Sequence, residues 1–476
     1  MAESTVGHDG LATDILLAAQ LWSDLGGPPG ALDKLRVVGP GAVLPSVFDV
    51  TGFATATVAV AALAVAEFGA VRSGAELPRV EVDRLAASAS FAFERVLTPL
   101  GWELPPVWDA VAGDYETEDG WIKLHTNYRH HRDAVLRVLG VPAEREAIAA
   151  EVARWRGEEL ESAVIAADGC AAVMRTAGAW SAHPAGQATV EDRPVTFGPP
   201  IPISGEVGSD LAQAQRSAPL AGLRVLDLTR VIAGPVATRY LAAYGADVVR
   251  IDPPGFEEVP ALLPETTVGK RCAALDLHLP ADRSVFDALV ADAHVVVAGL
   301  RPGALGDLGY GPRQLRSINP RVITVSLDAY GWSGPWSGRR GFDSLVQMST
   351  GIASAGAAEA RTDRPTPLPV QALDHGLGHL LAAATCRALS RLVVDDVTAD
   401  VRGSLVGASN VLKAMLSTTS RSRPSATVAT ASLETGDTDW GLVRRAPLAG
   451  RIHGTSPSWP VSAGPLGRHP AAFSVN

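Results

Sequence analysis

A chain of 476 residues with 47% hydrophobic and 19% charged side chains has the composition of a globular protein, long enough for about three domains. Its formal charge of -10 excludes a general nucleic-acid binder, although local basic pockets for an anionic ligand stay open. Cys170, Cys272 and Cys386 are too widely spaced for a C-x-x-C metal site or a disulfide framework, so no metal is expected.

The first twenty residues lack the basic region and apolar core of a secretory signal, which sets the expectation of a reducing, cytoplasmic location. Phe53 to Gly74 is apolar and Ala-rich, but Glu67 interrupts the run after about fourteen residues, short of the ~20 that a membrane span needs. A buried core helix is predicted there. Asp49, just ahead of it, sits where an N-cap is expected. Asp119 to His183 reads as a strand followed by several helices, and Arg193 to Pro219, rich in Pro, Gly and Ser, reads as a linker.

From Pro219 the pattern becomes regular. Leu223–Leu228, Ala246–Asp252, Cys272–Leu277, His294–Gly299 and Arg321–Leu327 are apolar strand candidates alternating with helical segments. Strands apolar on both faces and separated by helices predict an α/β fold, a Rossmann-like doubly wound parallel sheet beside a smaller α+β domain. Ligands of such sheets sit beyond the carboxyl ends of the strands. The first turn, "LTRVIAGP", is not the dinucleotide fingerprint.

"LPSVFDVTGFATATVAVAALA" around Asp49 parallels "LPVQALDHGLGHLLAAATCRALS" around Asp374, and each is followed by an extended segment and a small-residue helix. This predicts an internal repeat. The expected organisation is a helical segment (1–112), a small α+β domain (113–192), a linker (193–218), a large Rossmann-like domain (219–415) and a flexible or degenerate tail (416–476). By residue type alone Asp374 is the N-cap of the helix that follows it. His125, His130 and His131 fit no ligand spacing and read as polar surface, while His375 offers a means of orienting Asp374.

"PLAGLRVLDLTRVIAGPVATRYLAAYGADVVRIDPPG", "GKRCAALDL", "VVVAGLRPGALGDLGYG", "GRRGFDSLVQ" and "VQALDHGLGH", in that order, resemble the family III CoA-transferases, relatives of α-methylacyl-CoA racemase. The resemblance implies an acyl-CoA:carboxylate CoA-transferase with a CoA thioester as substrate and no permanently bound cofactor. Its substrates would be acyl-CoA and carboxylic acids, and it would form a homodimer, possibly interlocked. It makes Asp374 the nucleophile, forming an aspartyl anhydride and then an aspartyl-CoA thioester, and Asp343 a second acidic catalytic residue, with Arg340 as its ion-pair partner. Gly376 and Gly378 would let a substrate carbonyl approach backbone N–H groups. Arg230, Val231, Ile232 and Ala233 match a CoA-contacting loop. Lys270 and Arg271 match a basic pair suited to the nucleotide 3'-phosphate, and Arg301 lies at a strand end. The departures are Gly299 in place of an Asn, a short Phe256–Gly269 loop, no glycine-rich loop after Asp374, and the order of the domains. Asp49 is the rival nucleophile. A racemase, disfavoured by Phe342 where a His is usual, and a noncatalytic CoA-binding subunit are the alternative functions.

Overall fold

The computed structural model describes residues 6–203, 211, 215–301, 303–416 and 426–474. Helix α1 (Val6–Asp24) leads into a parallel strand-helix-strand unit of β1 (Leu35–Val38), α2 (Val50–Ser73) and β2 (Val80–Asp83), followed by α3 (Arg84–Ser90). Asp49 starts α2 by accepting the Gly52 N–H at 2.8 Å, and Gly74, at φ +64°, ends it in the left-handed region. The hairpin β3 (Gly113–Thr117) and β4 (Gly120–Leu124) pairs with β5 (Ala171–Val173). Helices α4 (Arg129–Leu139), α5 (Arg145–Val152) and α6 (Gly157–Ala166) close the small α+β unit over Ile122, Val135 and Ile148.

The main sheet is built from β6 (Val195–Phe197), β7 (Arg224–Leu228), β8 (Asp247–Asp252), β9 (Lys270–Ala274), β10 (Val295–Ala298), β11 (Ile323–Asp328) and β12 (Asp400–Ser404). Its order is β9-β8-β7-β10-β11-β12-β6, parallel except for the edge strand β6. Strand order reverses between β7 and β10, which opens a crevice at their carboxyl ends. Helices α7 (Ala233–Ala243) and α8 (Pro280–Asp292) alternate with these strands. The doubly wound prediction therefore describes the sheet, with β9 starting two residues earlier than its apolar pattern suggested. The predicted linker is corrected in part, because Val195–Phe197 is an edge strand; residues 204–210 and 212–214 lie outside the described residues.

The second half of the large unit holds α9 (Asp343–Ser349), α10 (Ala372–Asp395) and α11 (Leu405–Ala414). Here β11, α10, β12 and α11 repeat the plan of β1, α2, β2 and α3: a parallel strand pair crossed by a long helix, then a capped shorter one. The two long helices pack on each other and carry much of the largest core. Both are apolar enough to cross a membrane by length and composition, yet 83% of each apolar window is buried inside the protein. Glu67, the charge interrupting α2, accepts bonds from Arg387 (2.6 Å) and Ser390 (2.7 Å) of α10. A paired, hydrogen-bonded charge is tolerated in a core where a lone one is not.

The expectation of a flexible tail is corrected over residues 426–474; residues 417–425 lie outside the described ones. Strands β13 (Glu434–Thr438) and β14 (Gly441–Arg445) form a hairpin that extends onto Thr98–Leu100, and β15 (Arg451–Ile452) pairs with β2. Gly450 O accepts from Tyr244 at 2.8 Å, and the Trp459 indole donates to Arg239 O at 3.1 Å. The low apolar content after Leu416 hid this docking, because the segment supplies strand edges and single buried anchors rather than a core of its own.

Candidate active site

Two cavities, about 490 Å³ and 350 Å³, meet at four residues that line both: Tyr128, Val231, Phe342 and Asp374. Asp374 is not the cap of α10. Gln371 holds that position, and Asp374 is the third residue of the first turn. Asp343, at the start of α9, accepts the backbone N–H groups of Leu373 (2.8 Å) and Asp374 (3.0 Å) through one oxygen and the Gln347 amide through the other. Asp343 thus performs the capping that was expected of Asp374.

The two carboxyls form a coupled pair. Burial is the largest cause holding Asp374 well above the usual carboxylate range, followed by the charges of Asp343 and Glu94; an Ala233 N–H bond opposes them. Burial also raises Asp343, against the three hydrogen bonds it accepts. Of the two, Asp343 accepts the more hydrogen bonds, which oppose its rise to about 7, whereas Asp374 is held well above the usual carboxylate range.

The glycines after Asp374 serve packing. A Cβ on Gly376 would stand 2.2 Å from the Phe53 ring, and one on Gly378 would stand 2.6 Å from Ala233 O. They let α10 lie against α2 and the start of α7, which corrects their expected role beside a substrate carbonyl. The chain then brings Ala233 to Asp374 through a tight turn. Val231 sits at φ +62°, costly for a β-branched residue, with its N–H bound to Glu258 at 3.1 Å. Glu258 also accepts from Tyr128 (2.6 Å) and buried Arg250 (3.1 Å), so the turn is clamped from two sides.

The expected CoA contacts divide. Arg230, Val231 and Ala233 line the smaller cavity and Ile232 the larger; Arg230 pairs with Asp252 and lies 4.0 Å over the Phe256 ring. Arg301 lines the smaller cavity, half exposed and paired with Asp307 at 3.0 Å. Lys270 and Arg271 line neither. The Lys270 ammonium is fully buried and bonds Asp227 (2.9 Å) and Pro235 O (3.1 Å) beneath the turn, and Arg271 pairs with Asp247. Alternation along β9 explains the correction: the pair cannot face one ligand, because adjacent strand residues point to opposite faces. Arg340 pairs with Asp168 rather than Asp343.

Asp49 caps α2 and lines neither cavity. His375 is buried between Phe91 and Phe93, its ring nitrogen 3.5 Å from Glu94. The surface reading of the other histidines is corrected for two of them. His125 is buried and stacks on Phe342 with ring centroids 3.8 Å apart, and His131 is buried beside Cys170. Burial pushes both down to about 3, so both rings are neutral near pH 7. Glu94, Trp108, Tyr128 and Glu258 escaped the sequence reading. "TNYRHH" hinted at Tyr128, but nothing in "FAFERVL" points to an acid beside residue 374.

Comparison with known proteins matches this region. Residues 220–438 fit the model of CoA-transferase family III. A probable fatty acyl-CoA transferase of Mycobacterium tuberculosis is 35% identical over 184 residues, 36% of this chain and 46% of that protein. Mouse succinyl-CoA:glutarate CoA-transferase is 34% identical over 146 residues (28% and 34%), and a formyl-CoA:oxalate CoA-transferase of Rhodopseudomonas palustris is 29% identical over 208 (40% and 48%). The chain thus spans less than half the length of each of these relatives. A crystal structure of an M. tuberculosis protein aligns at 32% identity over 42% of this chain and 58% of that one, with a TM-score of 0.39. The segment that matches the CoA-transferase family III model carries Asp343, Asp374 and the crevice of the parallel sheet.

Proposed function

We propose that the protein is an acyl-CoA:carboxylate CoA-transferase with Asp374 as nucleophile. The observation that carries this reading is the place of Asp374, in the shared wall of two adjoining cavities. Arg230, Arg301, Arg339 and Arg340 line the smaller one, suited to the phosphates of CoA, and the larger has an apolar part, from Trp108, Ile232, Leu262, Phe342 and Val370, suited to an acyl group. A thioester lying across the junction presents its carbonyl to Asp374.

Asp374 must first lose its proton. Its carboxylate then attacks the thioester carbonyl; the C–S bond breaks, giving an acyl-aspartyl anhydride and CoA thiolate. The thiolate attacks the aspartyl carbonyl, releasing the first acid as its carboxylate and leaving an aspartyl-CoA thioester. An acceptor carboxylate attacks that thioester to form a second anhydride, and the returning thiolate takes the new acyl group and frees Asp374. Each attack joins neighbours already held in place, which removes the entropic cost of separate encounters. The clamped turn at 230–233 keeps the Ala233 N–H close to Asp374, where oxyanions develop. Relatives named for formyl-CoA:oxalate and succinyl-CoA:glutarate transfer support the reaction class.

Incubation with a panel of acyl-CoAs, hydroxylamine trapping and intact mass spectrometry tests this. The expected result is a hydroxamate or CoA adduct on wild type and on Asp49→Ala, and none on Asp374→Ala. An adduct surviving in Asp374→Ala removes Asp374 from the role. CoA binding with no adduct from any donor makes the chain a noncatalytic CoA-binding subunit.

A further inference from the structure

The larger cavity has a size and a lining that say more than "acyl". At about 490 Å³ the cavity falls in the size range of small-molecule pockets, whereas a formyl group has two heavy atoms. One wall is aromatic: Phe342 and His125 stack with ring planes 2° apart, and Trp108 meets His125 edge-on at 5.8 Å. Ile232, Leu262 and Val370 add apolar surface.

The charges lining the cavity are the second observation. Glu94, Asp343 and Asp374 are acids, with Glu94 and Asp343 largely buried. Of the two cations, Lys123 is paired with Asp114 at 2.6 Å, and Arg95 is exposed at the rim. His125 is neutral and offers no positive charge. A second carboxylate carried deep into this space would meet the buried carboxyls of Glu94 and Asp343, and no described residue lining it is a buried, unpaired cation.

We propose that this cavity receives a bulky, uncharged acyl group, branched or ring-bearing, laid against the Trp108, His125 and Phe342 wall, in preference to a formyl, acetyl or carboxylated acyl group. The proposal rests on the reading that an acyl-CoA occupies the site, and binding tests it apart from turnover. Phenylacetyl-CoA, acetyl-CoA, succinyl-CoA and CoA are titrated calorimetrically against Asp374→Asn, which blocks acyl transfer. Phenylacetyl-CoA is expected to bind at least about tenfold tighter than acetyl-CoA, with succinyl-CoA weaker than both. Trp108→Ala, at a half-exposed position whose loss spares the core, is expected to cut that preference to within about threefold. Ala112→Phe, which fills the cavity from a residue of its wall, should do the same. Equal affinities, succinyl-CoA as the tightest ligand, or a preference untouched by both variants would overturn the proposal. Failure of hydroxylamine trapping with the binding preference intact would instead remove the transferase mechanism and leave this inference standing.

Discussion

The chemistry of Asp374 turns on one proton. Asp343 spends its oxygens on three donors, whereas Asp374 lies buried beside it and beside Glu94, so Asp374 takes the proton. Only its ionised form attacks a thioester, so kcat/KM is expected to rise with pH through a value well above that of a free aspartate. Asp343→Asn keeps a hydrogen-bond acceptor and removes the like charge. It should move that acid limb down by about one pH unit, seen in a pH-rate profile. The stability effect has a definite sign. Native Asp374 keeps a proton that the unfolded chain loses near pH 4, so folding is disfavoured as pH climbs from about 4 toward the raised value. Asp374→Asn removes that slope. It should stabilise the protein by on the order of 1 kcal/mol near pH 7 and by almost nothing below about pH 4, read from urea midpoints at both pH values.

Strand β9 and the turn after β7 show how an element sets the site from below. Asp227 accepts from Thr229, from Thr238 (2.6 Å) and from Lys270 (2.9 Å), and Thr229 begins the turn that carries Val231. Lys270→Met leaves Asp227 buried without its cation. A loss of about 3–5 kcal/mol is expected in denaturant unfolding, the cost of breaking a buried pair from one side. Arg271→Ala, on the other face of the same strand, should change stability by less than about 1 kcal/mol, because its ion pair with Asp247 is partly exposed. A basic dipeptide thus splits into a core brace and a surface pair, a division that alternation along a strand implies once the strand is known to begin at Lys270.

Across the whole molecule, one cavity draws its walls from segments far apart in sequence: Glu94 and Trp108 from the first repeat and its exit, His125 and Tyr128 from the small unit, Val231 and Asp374 from the large one. The final fifty residues tie these parts together, since β15 extends the sheet of the first repeat and Gly269 donates to Val461 O at 2.8 Å. Ending the chain at residue 425 would strip a strand from β2 and remove buried Arg445, which pairs with Glu265, and buried Ala463. Scanning calorimetry of that truncation should show a broad, weak transition in place of the cooperative one of the full chain.

Local pattern was enough to place the parallel strands from 224 to 328 and the two long apolar helices, while the resemblance pointed to the carboxylates at 343 and 374. Periodicity, breakers and short motifs are properties of neighbouring residues. The same reading took His125 and His131 for surface and residues 426–474 for a loose tail, and it had no means of finding Glu94. Burial, ion-pair partners and the side of a strand on which a charge falls depend on what packs against it from elsewhere in the chain. Only the tertiary structure decided that Lys270 serves Asp227, that Asp343 caps the helix of Asp374, and that Trp108, His125 and Phe342, from three parts of the chain, share a cavity with the candidate nucleophile.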